Sequence, residues 1–372
     1  MSPATTSSPQ SGFGPSPETN VPFKTPANAA AVVYQAWAEY GDPRRITSLE
    51  EVSAHVSTNR VFRVHFDDQS HVVAKVSSYG SYFLFAEDHD RLFRLHNQLQ
   101  PTRWHGFLAQ VLDHNGRPYT WYDGRCWAVF YIDVERREAL PRILSEIQVA
   151  QFAREIAEFH LSCAAVAPSL PPMSNSVKGD AIHLLDQLTS DFAPRNFSLE
   201  SYEIEVLWNS THEFLEYLEF AHYDEWEKIP ILVDWNLSNF SVQSCTKGFS
   251  LFSRWDYDWF RVDSRLLDFY FLSRVSSRTG DRTHFSYSPH TLVEPRFLAF
   301  VSAYHEVNPL SESEIRFLPY AYRFFILNYV IREGARFFRP DLCEQFRPEV
   351  ARIYLPQLKQ LDISPLLNIV MA

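Results

Sequence analysis

Glycine is scarce in this chain, with 11 residues among 372. So low a content argues against glycine-rich low-complexity sequence and against a fold of repeated tight hairpins. Cysteine is also rare, and its four positions are too far apart to form a C-x-x-C pair: Cys126, Cys163, Cys245 and Cys343. This spacing indicates neither a zinc site nor a disulfide framework, so a reducing, cytoplasmic location is expected.

Long apolar runs and an excess of basic residues are missing as well. No stretch of about 18 uninterrupted apolar residues occurs, so no membrane-spanning helix is expected, and no signal peptide is visible at the N-terminus. The formal net charge of −11 disfavours nucleic acid as a partner, because phosphate contacts need clustered Lys and Arg. The acidity is compatible with a cationic small molecule or a metal–nucleotide complex, although most of it need only aid solubility.

What is present is a large apolar content, at 45% of the chain, with 30 Phe, 18 Tyr and 9 Trp. A chain of this length predicts one two-lobed unit or two domains. Residues 1–25 are mostly small and polar and are predicted to form a disordered tail. Residues 26–133 contain strand patterns and two helices, and residues 134–372 are mainly helical, so an α+β fold with two lobes is expected.

A predicted hairpin carries the first candidate site residue. Residues 56–66 tend to alternate apolar and polar side chains, a turn follows at 67–68, and residues 71–76 form the returning strand. Lys75 lies in this second strand, within the run V-V-A-K-V, where an unpaired ammonium group would be costly to bury. Either Lys75 faces water from an edge strand, or it binds phosphates with a carboxylate of the next helix as its partner.

That next helix is predicted at residues 82–98, and it offers two acids to Lys75. Glu87 is the better candidate because it comes early in the helix, and Asp90 is the weaker one; a solvated surface acid is the alternative for both. Further along, the continuous apolar run Trp127–Ile132 is typical of a buried strand.

The clearest chemical pattern lies in residues 231–239, I-L-V-D-W-N-L-S-N, and 253–259, S-R-W-D-Y-D-W. Asp234 follows an apolar strand and can accept a proton from an attacking hydroxyl, and Asn239 comes five positions later. The amide oxygen of Asn239 and the carboxylates of Asp256 and Asp258 can hold magnesium on the phosphates of a nucleotide.

The order of these motifs resembles that of the aminoglycoside phosphotransferase and choline kinase family over residues 46–274. The resemblance implies a protein-kinase-like fold and ATP- and Mg²⁺-dependent phosphorylation of a hydroxyl on a small molecule. It implies that residues 56–64 form the phosphate loop and that a group of side chains and main-chain atoms contacts the nucleotide: Ser57, Thr58, Asn59, Lys75 with Glu87, and the hinge at Tyr131 and Ile132. Asp234 takes the position of the catalytic aspartate, Asn239 that of a metal ligand, and Asp268 that of a structural aspartate.

Two residues depart from the family pattern. Leu232 replaces a histidine, and Arg254 stands where the second metal aspartate is usual, although a guanidinium cannot ligate magnesium. Three explanations remain open: Asp256, helped by Asp258, supplies the metal ligand; Arg254 contacts phosphates directly; or the protein is a non-catalytic pseudokinase. A plain salt-bridge network of these three side chains, which strand periodicity would place on one face, is a further alternative.

The acceptor region between the candidate catalytic loop and the C-terminal helices is rich in aromatic side chains. An aromatic and acidic pocket would suit a cationic amine. Most of these aromatic side chains, taken one by one, are nevertheless expected to pack in the hydrophobic core. The polar segment at 274–290 is expected to be a lid or an acceptor contact. A nucleotidyl transferase on the same fold is an alternative activity.

Overall fold

The computed structural model describes residues 28–53, 59–246, 248–280 and 287–371. Within them the chain forms a smaller lobe built on an antiparallel sheet and a larger, mainly helical lobe. This architecture confirms the α+β, two-lobed fold predicted from the sequence. The tail predicted at residues 1–25 lies outside the described residues.

The smaller lobe combines two helices with a five-stranded sheet in the order β1-β2-β3-β7-β6 and a separate two-stranded ribbon, β4-β5. Its elements are α1 (Ala29–Tyr40), β1 (Ile46–Glu51), β2 (Arg60–Phe66), β3 (His71–Ser77), α2 (Tyr82–Leu99), β4 (Asp113–His114), β5 (Arg117–Pro118), β6 (Thr120–Tyr122) and β7 (Trp127–Ile132).

The two faces of this sheet have different roles, because alternate residues of a strand point to opposite sides. Ala74 and Val76 of β3 pack in one core with Val33 and Trp37 of α1. Lys75 points to the other face, towards the larger lobe. Since β3 lies between β2 and β7, Lys75 is on a central strand and only 6% exposed, which excludes the water-facing edge position.

The larger lobe contains eleven of the described α-helices, four short strands and several 3₁₀ and π-helical turns. They are α3 (Glu146–Val166), α4 (Val177–Thr189), α5 (Ala193–Phe197), α6 (Ser201–Phe220), β8 (Ile229–Ile231), β9 (Phe240–Cys245), β10 (Gly248–Arg254), β11 (Arg261–Asp263), α7 (Phe269–Ser276), α8 (Pro295–His305), α9 (Glu312–Phe325), α10 (Gly334–Phe337), α11 (Pro340–Glu349), α12 (Leu355–Lys359) and α13 (Ser364–Met371). A π-helical segment, Ile326–Arg332, continues α9. None of the helices in the described part of the chain is long and apolar enough to cross a membrane.

Strand pairing in the larger lobe brings two loops together. Strand β8 pairs with β11, and β9 pairs with β10, both antiparallel. Loop 232–239 connects β8 to β9 and loop 255–260 connects β10 to β11, so both loops leave the ribbons on the same side. A hydrogen bond of 3.0 Å from the Trp255 N–H to the Asn239 carbonyl joins them. The two sequence motifs are therefore neighbours in space.

Candidate functional site

A cleft of about 300 Å³ lies between the sheet of the smaller lobe and the two loops of the larger one. Five residues predicted from the sequence line it together: Lys75, Tyr131, Ile132, Asn239 and Asp256. Val52, just after β1, Val61 of β2 and Val73 of β3 form one wall, and Trp255 lies in the opposite wall. The cleft thus offers an apolar space next to Lys75, Asn239 and Asp256.

Asp234 lies in a backbone turn that the protein holds in a strained form. Val233 has a φ of 58°, in a left-handed region that β-branched residues rarely adopt. The Asp234 N–H donates to the Leu232 carbonyl over 2.7 Å, and the Asn236 N–H donates to Asp234 Oδ1 over 3.1 Å. Strain of this kind costs on the order of 1–3 kcal/mol and persists only where surrounding contacts enforce it.

Asp268 supplies those contacts from beneath the turn. Its fully buried carboxylate accepts hydrogen bonds from the Val233 N–H at 2.7 Å and from Trp235 Nε1 at 2.6 Å. Nε2 of His160, on helix α3, lies 2.9 Å from the same carboxylate. The geometry therefore gives Asp268 the structural position that the resemblance implies.

The side chain of Arg254, offered as a possible phosphate contact, does not line the cleft in this arrangement. Its side chain is fully buried, and its guanidinium donates to the carbonyls of Asp234 at 2.7 Å and Asn239 at 2.8 Å, and to that of Trp255. No surface of Arg254 is left for a nucleotide. Arg254 instead links loop 232–239 to loop 255–260 through these hydrogen bonds. A planar guanidinium can do so because it has several N–H donors.

Asp256 and Asp258 do not share a strand face, contrary to the prediction from periodicity. Strand β10 ends at Arg254, and Asp256 has a left-handed φ of 65° that turns the chain. As a result only Asp256 lines the cleft, while Asp258 faces a neighbouring cavity. Asp258 also accepts a hydrogen bond of 2.8 Å from Asn59 Nδ2, so its prediction as a metal ligand in the cleft is not met in this arrangement.

Lys75 pairs with the loop and not with the helix. Its Nζ lies 3.0 Å from Asp256 Oδ1 and also bonds Asp258 Oδ1. Burial disfavours the charged amine, but attraction to these two carboxylates outweighs burial and raises the pKa of Lys75 above its ordinary value. Lys75 is therefore a permanent cation that links the two lobes.

The predicted Lys75–Glu87 pair is absent. Glu87 binds Arg91 at 3.1 Å and accepts a hydrogen bond of 2.8 Å from the Ser174 N–H, because its face of α2 is turned towards residues 172–174. The face turned towards Lys75 carries Asp88 and His89, which the sequence reasoning missed. Asp90, the weaker candidate, pairs with Arg91 and Arg94.

His89 joins helix α2 to strand β7. Its Nδ1 lies 2.6 Å from the Phe85 carbonyl, which can only accept, so Nδ1 carries the proton and Nε2 accepts from Tyr131 Oη at 2.6 Å. Burial, aided by the nearby charge of Lys75, lowers the pKa of His89 to about 4. The imidazole is thus neutral at physiological pH.

The nucleotide contacts predicted for Asn59 and the hinge need revision. The side chain of Asn59 is buried and bound to Asp258, while Ser57 and Thr58 lie outside the described residues. The N–H of Ile132 already donates to the Gln110 carbonyl over 2.9 Å, so it is not available to an adenine ring. Two residues on, Val134 also lines the cleft, and its N–H has no hydrogen-bond partner among the described residues.

From the two loops of the larger lobe, Asn239 Oδ1 and the Asp256 carboxylate could serve a divalent ion in this cleft. Within the described ranges no three His, Cys, Asp or Glu side chains converge as a metal cluster. This donor set suits Mg²⁺, which commonly binds one or two protein groups and takes its other ligands from phosphates and water.

Comparison with known proteins shows the fold. No protein-family model and no curated protein matches the chain by sequence. The structure of APH(2″)-IIIa with GDP and kanamycin matches with a TM-score of 0.57 and 14% identity, over 88% of this chain and 98% of that one. An amicoumacin kinase with AMP-PNP and Ca²⁺ gives 0.58 and 12%, over 90% and 95% of the two chains.

A microcompartment-associated aminopropanol kinase gives a TM-score of 0.58 at 16% identity, over 90% of this chain and 100% of that one. The likeness extends over nearly the whole of each matched protein. The chain therefore has the protein-kinase-like fold found in small-molecule phosphotransferases, which confirms the resemblance at the level of fold.

Proposed function

We propose that the protein transfers a phosphoryl group from ATP to a hydroxyl of a small molecule. The observation that carries this proposal is that Lys75, Asn239 and Asp256 line one cleft beside the loop that presents Asp234. Proteins of the same fold that bind GDP with kanamycin, or AMP-PNP with Ca²⁺, support a nucleotide in this cleft. The amine-bearing compounds named for those proteins also favour a cationic acceptor.

In this proposal Asp234 orients the acceptor hydroxyl and takes its proton, and Lys75 pairs with phosphate oxygens. Asn239 and Asp256 would hold Mg²⁺, which supplies neutralisation of the charge on the phosphates when it is bound. Adenine would lie against the apolar wall, with the free N–H of Val134 as a hydrogen-bond donor. Arg254 and Asp268 hold the backbone that carries these groups.

The substitution Asp234→Asn tests the assignment most directly. Asparagine keeps an acceptor for the Asn236 N–H but cannot take a proton, so phosphoryl transfer should fall by about 100-fold or more while ATP affinity is kept. Transfer is measured with labelled ATP against a pool of amines and alcohols, and affinity by calorimetry. The matched control is the exposed Asp191→Asn, which should leave both unchanged. Undiminished transfer in the Asp234 variant contradicts the proposal.

A nucleotide-binding protein without transferase activity is the second candidate. It is favoured by the pairing of Lys75 with both Asp256 and Asp258, since these three groups are occupied by one another. The wild-type protein decides between the two. Magnesium-dependent ATP binding with no labelled product from any acceptor favours the second candidate, and a phosphorylated product favours the first.

A further inference from the structure

A second cavity, of about 320 Å³, lies on the far side of Lys75 from the nucleotide cleft. Lys75, Tyr131 and Tyr257 line both spaces and separate them. Other wall residues come from segment 77–81, helices α2 and α4, loop 255–260 and the π-helical segment Ile326–Arg332 with Glu333. Loop 232–239, which the structure describes throughout, contributes no wall residue, so the cavity is separate from Asp234.

The walls of this cavity carry one more carboxylate than cations: Asp88, Asp180, Asp258 and Glu333 against Lys75, Arg261 and Arg332. Asp180 accepts from both arginines at 2.7 Å, and Glu333 lies 3.1 Å from Arg332. Lys75 forms ion pairs with both Asp258 and Asp256, and Asp256 does not line this cavity.

Asp88 is the wall acid without a direct partner. It is half-buried on α2 and forms no hydrogen bond or ion pair with any residue that the structure describes. Burial raises the pKa of Asp88 well above its ordinary value, and the attraction of Arg261 offsets only part of that effect. A cationic ligand in the cavity would favour the charged carboxylate.

Aromatic rings complete the environment for a cation. The rings of Trp259 and Tyr329 stack with centroids 4.8 Å apart and line the cavity with Phe85. Ring faces attract organic cations through their quadrupoles, by roughly 0.5–2 kcal/mol each. The volume admits only a small molecule.

We propose that this cavity is a second ligand site, which takes a small organic ammonium compound and thereby loosens the hold of loop 255–260 on Lys75. The ammonium group pairs with Asp88, and its alkyl groups lie against the rings. Because Asp258 lines the same cavity, the added cation weakens its attraction for Lys75. Lys75 is then freer to bind phosphates, so ligand and nucleotide strengthen each other's binding, as linkage requires.

The first test uses tetramethylammonium, which has no hydroxyl and cannot act as a phosphoryl acceptor. We expect saturable binding by NMR titration of the full-length protein in the absence of nucleotide, and no binding of the neutral, similarly sized tert-butanol. Asp88→Asn should weaken tetramethylammonium binding at least fivefold. The control Asp90→Asn, on the opposite face of α2, should not change it. No binding of tetramethylammonium, equal binding of tert-butanol, or an unchanged Asp88 variant overturns the site.

The second test measures the coupling. Saturating tetramethylammonium should tighten magnesium–AMP-PNP binding by severalfold in the wild-type protein and leave it unchanged in Asp88→Asn. Unchanged or weaker nucleotide binding in the wild type overturns the coupling. Both tests measure binding alone, so their outcome is independent of whether the protein transfers phosphate.

Discussion

Arg254 is the residue on which the geometry of the two loops depends most. Its guanidinium bonds three carbonyl oxygens, those of Asp234, Asn239 and Trp255, which lie in the two loops that carry Asp234, Asn239 and Asp256. Burial lowers the pKa of Arg254 below its ordinary value, and the surrounding carboxylates, with Asp234 foremost, oppose that shift. An arginine at this position therefore maintains the site without entering it.

Arg254→Lys should lower the free energy of unfolding by about 2 kcal/mol, since an ammonium group cannot span three carbonyls and hydrogen bonds to charged donors contribute about 1.5–3 kcal/mol each. It should also weaken magnesium–ATP binding, because Asn239 and Asp256 lose their fixed separation. Urea unfolding and calorimetry measure the two effects.

Arg347→Lys is the matched control for that change. Arg347 is also buried and donates to two carbonyls, those of Phe197 and Ile331, but none of its partners belongs to the cleft. The control should lose stability and keep nucleotide affinity. Equal losses of affinity in the two variants would show that Arg254 acts through general stability alone.

At the scale of elements, the link between helix α2 and strand β7 depends on pH. His89 has a folded-state pKa of about 4 against about 6.5 in an unfolded chain. Between these values the unfolded chain binds a proton that the folded protein does not. The stabilisation is therefore complete above pH 6.5 and is lost as the pH falls towards 4.

His89→Gln tests this link. Glutamine keeps an acceptor for Tyr131 Oη but does not titrate. Between pH 7 and 5 the wild-type protein should lose about 2 kcal/mol more unfolding free energy than the variant. Urea denaturation at the two pH values measures this difference. Carboxylates titrate in both proteins, so their contribution to the unfolding free energy cancels when the two losses are subtracted. An equal loss in both would mean that His89 is not buried in its neutral form.

The rotation of helix α2 and the turn at Asp256 explain which site contacts could not be predicted from the sequence. The strand pattern around Lys75 and the Asp234–Asn239 spacing were recognisable, because period-two burial and a short motif are local properties. The rotation of α2, which presents Asp88 and His89 and not Glu87 to Lys75, depends on contacts with residues 172–174 that no local pattern reveals. The left-handed backbone of Asp256 likewise ends the strand, although the sequence pattern predicts that it continues to Asp258.

For the whole molecule, the contacts of loop 255–260 with the sheet decide how the lobes are held. Lys75 and Asn59 of the smaller lobe both bind Asp258 of the larger one. These contacts hold the two lobes together on one side of Tyr131 and Tyr257, and the nucleotide cleft lies on the other side. The ion pair that holds the lobes together therefore also keeps Lys75 from binding phosphate.

Asp258→Asn and Asp256→Asn should therefore act in opposite directions. Asparagine at 258 keeps an acceptor for Asn59 but releases Lys75 from one of its two charges, so magnesium–ATP affinity should rise severalfold. Asparagine at 256 removes the carboxylate donor of the cleft, so the affinity should fall by about tenfold or more. Isothermal calorimetry with and without magnesium measures the affinities. A lower magnesium–ATP affinity in both variants would indicate that Asp258 is a metal ligand as well.

The central place of β3 in the sheet means that a register slip would abolish the site. Strand β3 is paired over six residue positions on each side, and a shift by one residue would exchange Lys75 for Ala74 or Val76. The ammonium group would then lie against Trp37 and Val33, in the apolar core under α1. Two hydrogen-bond ladders thus select, during folding, the only side of the sheet on which this charge can meet a phosphate.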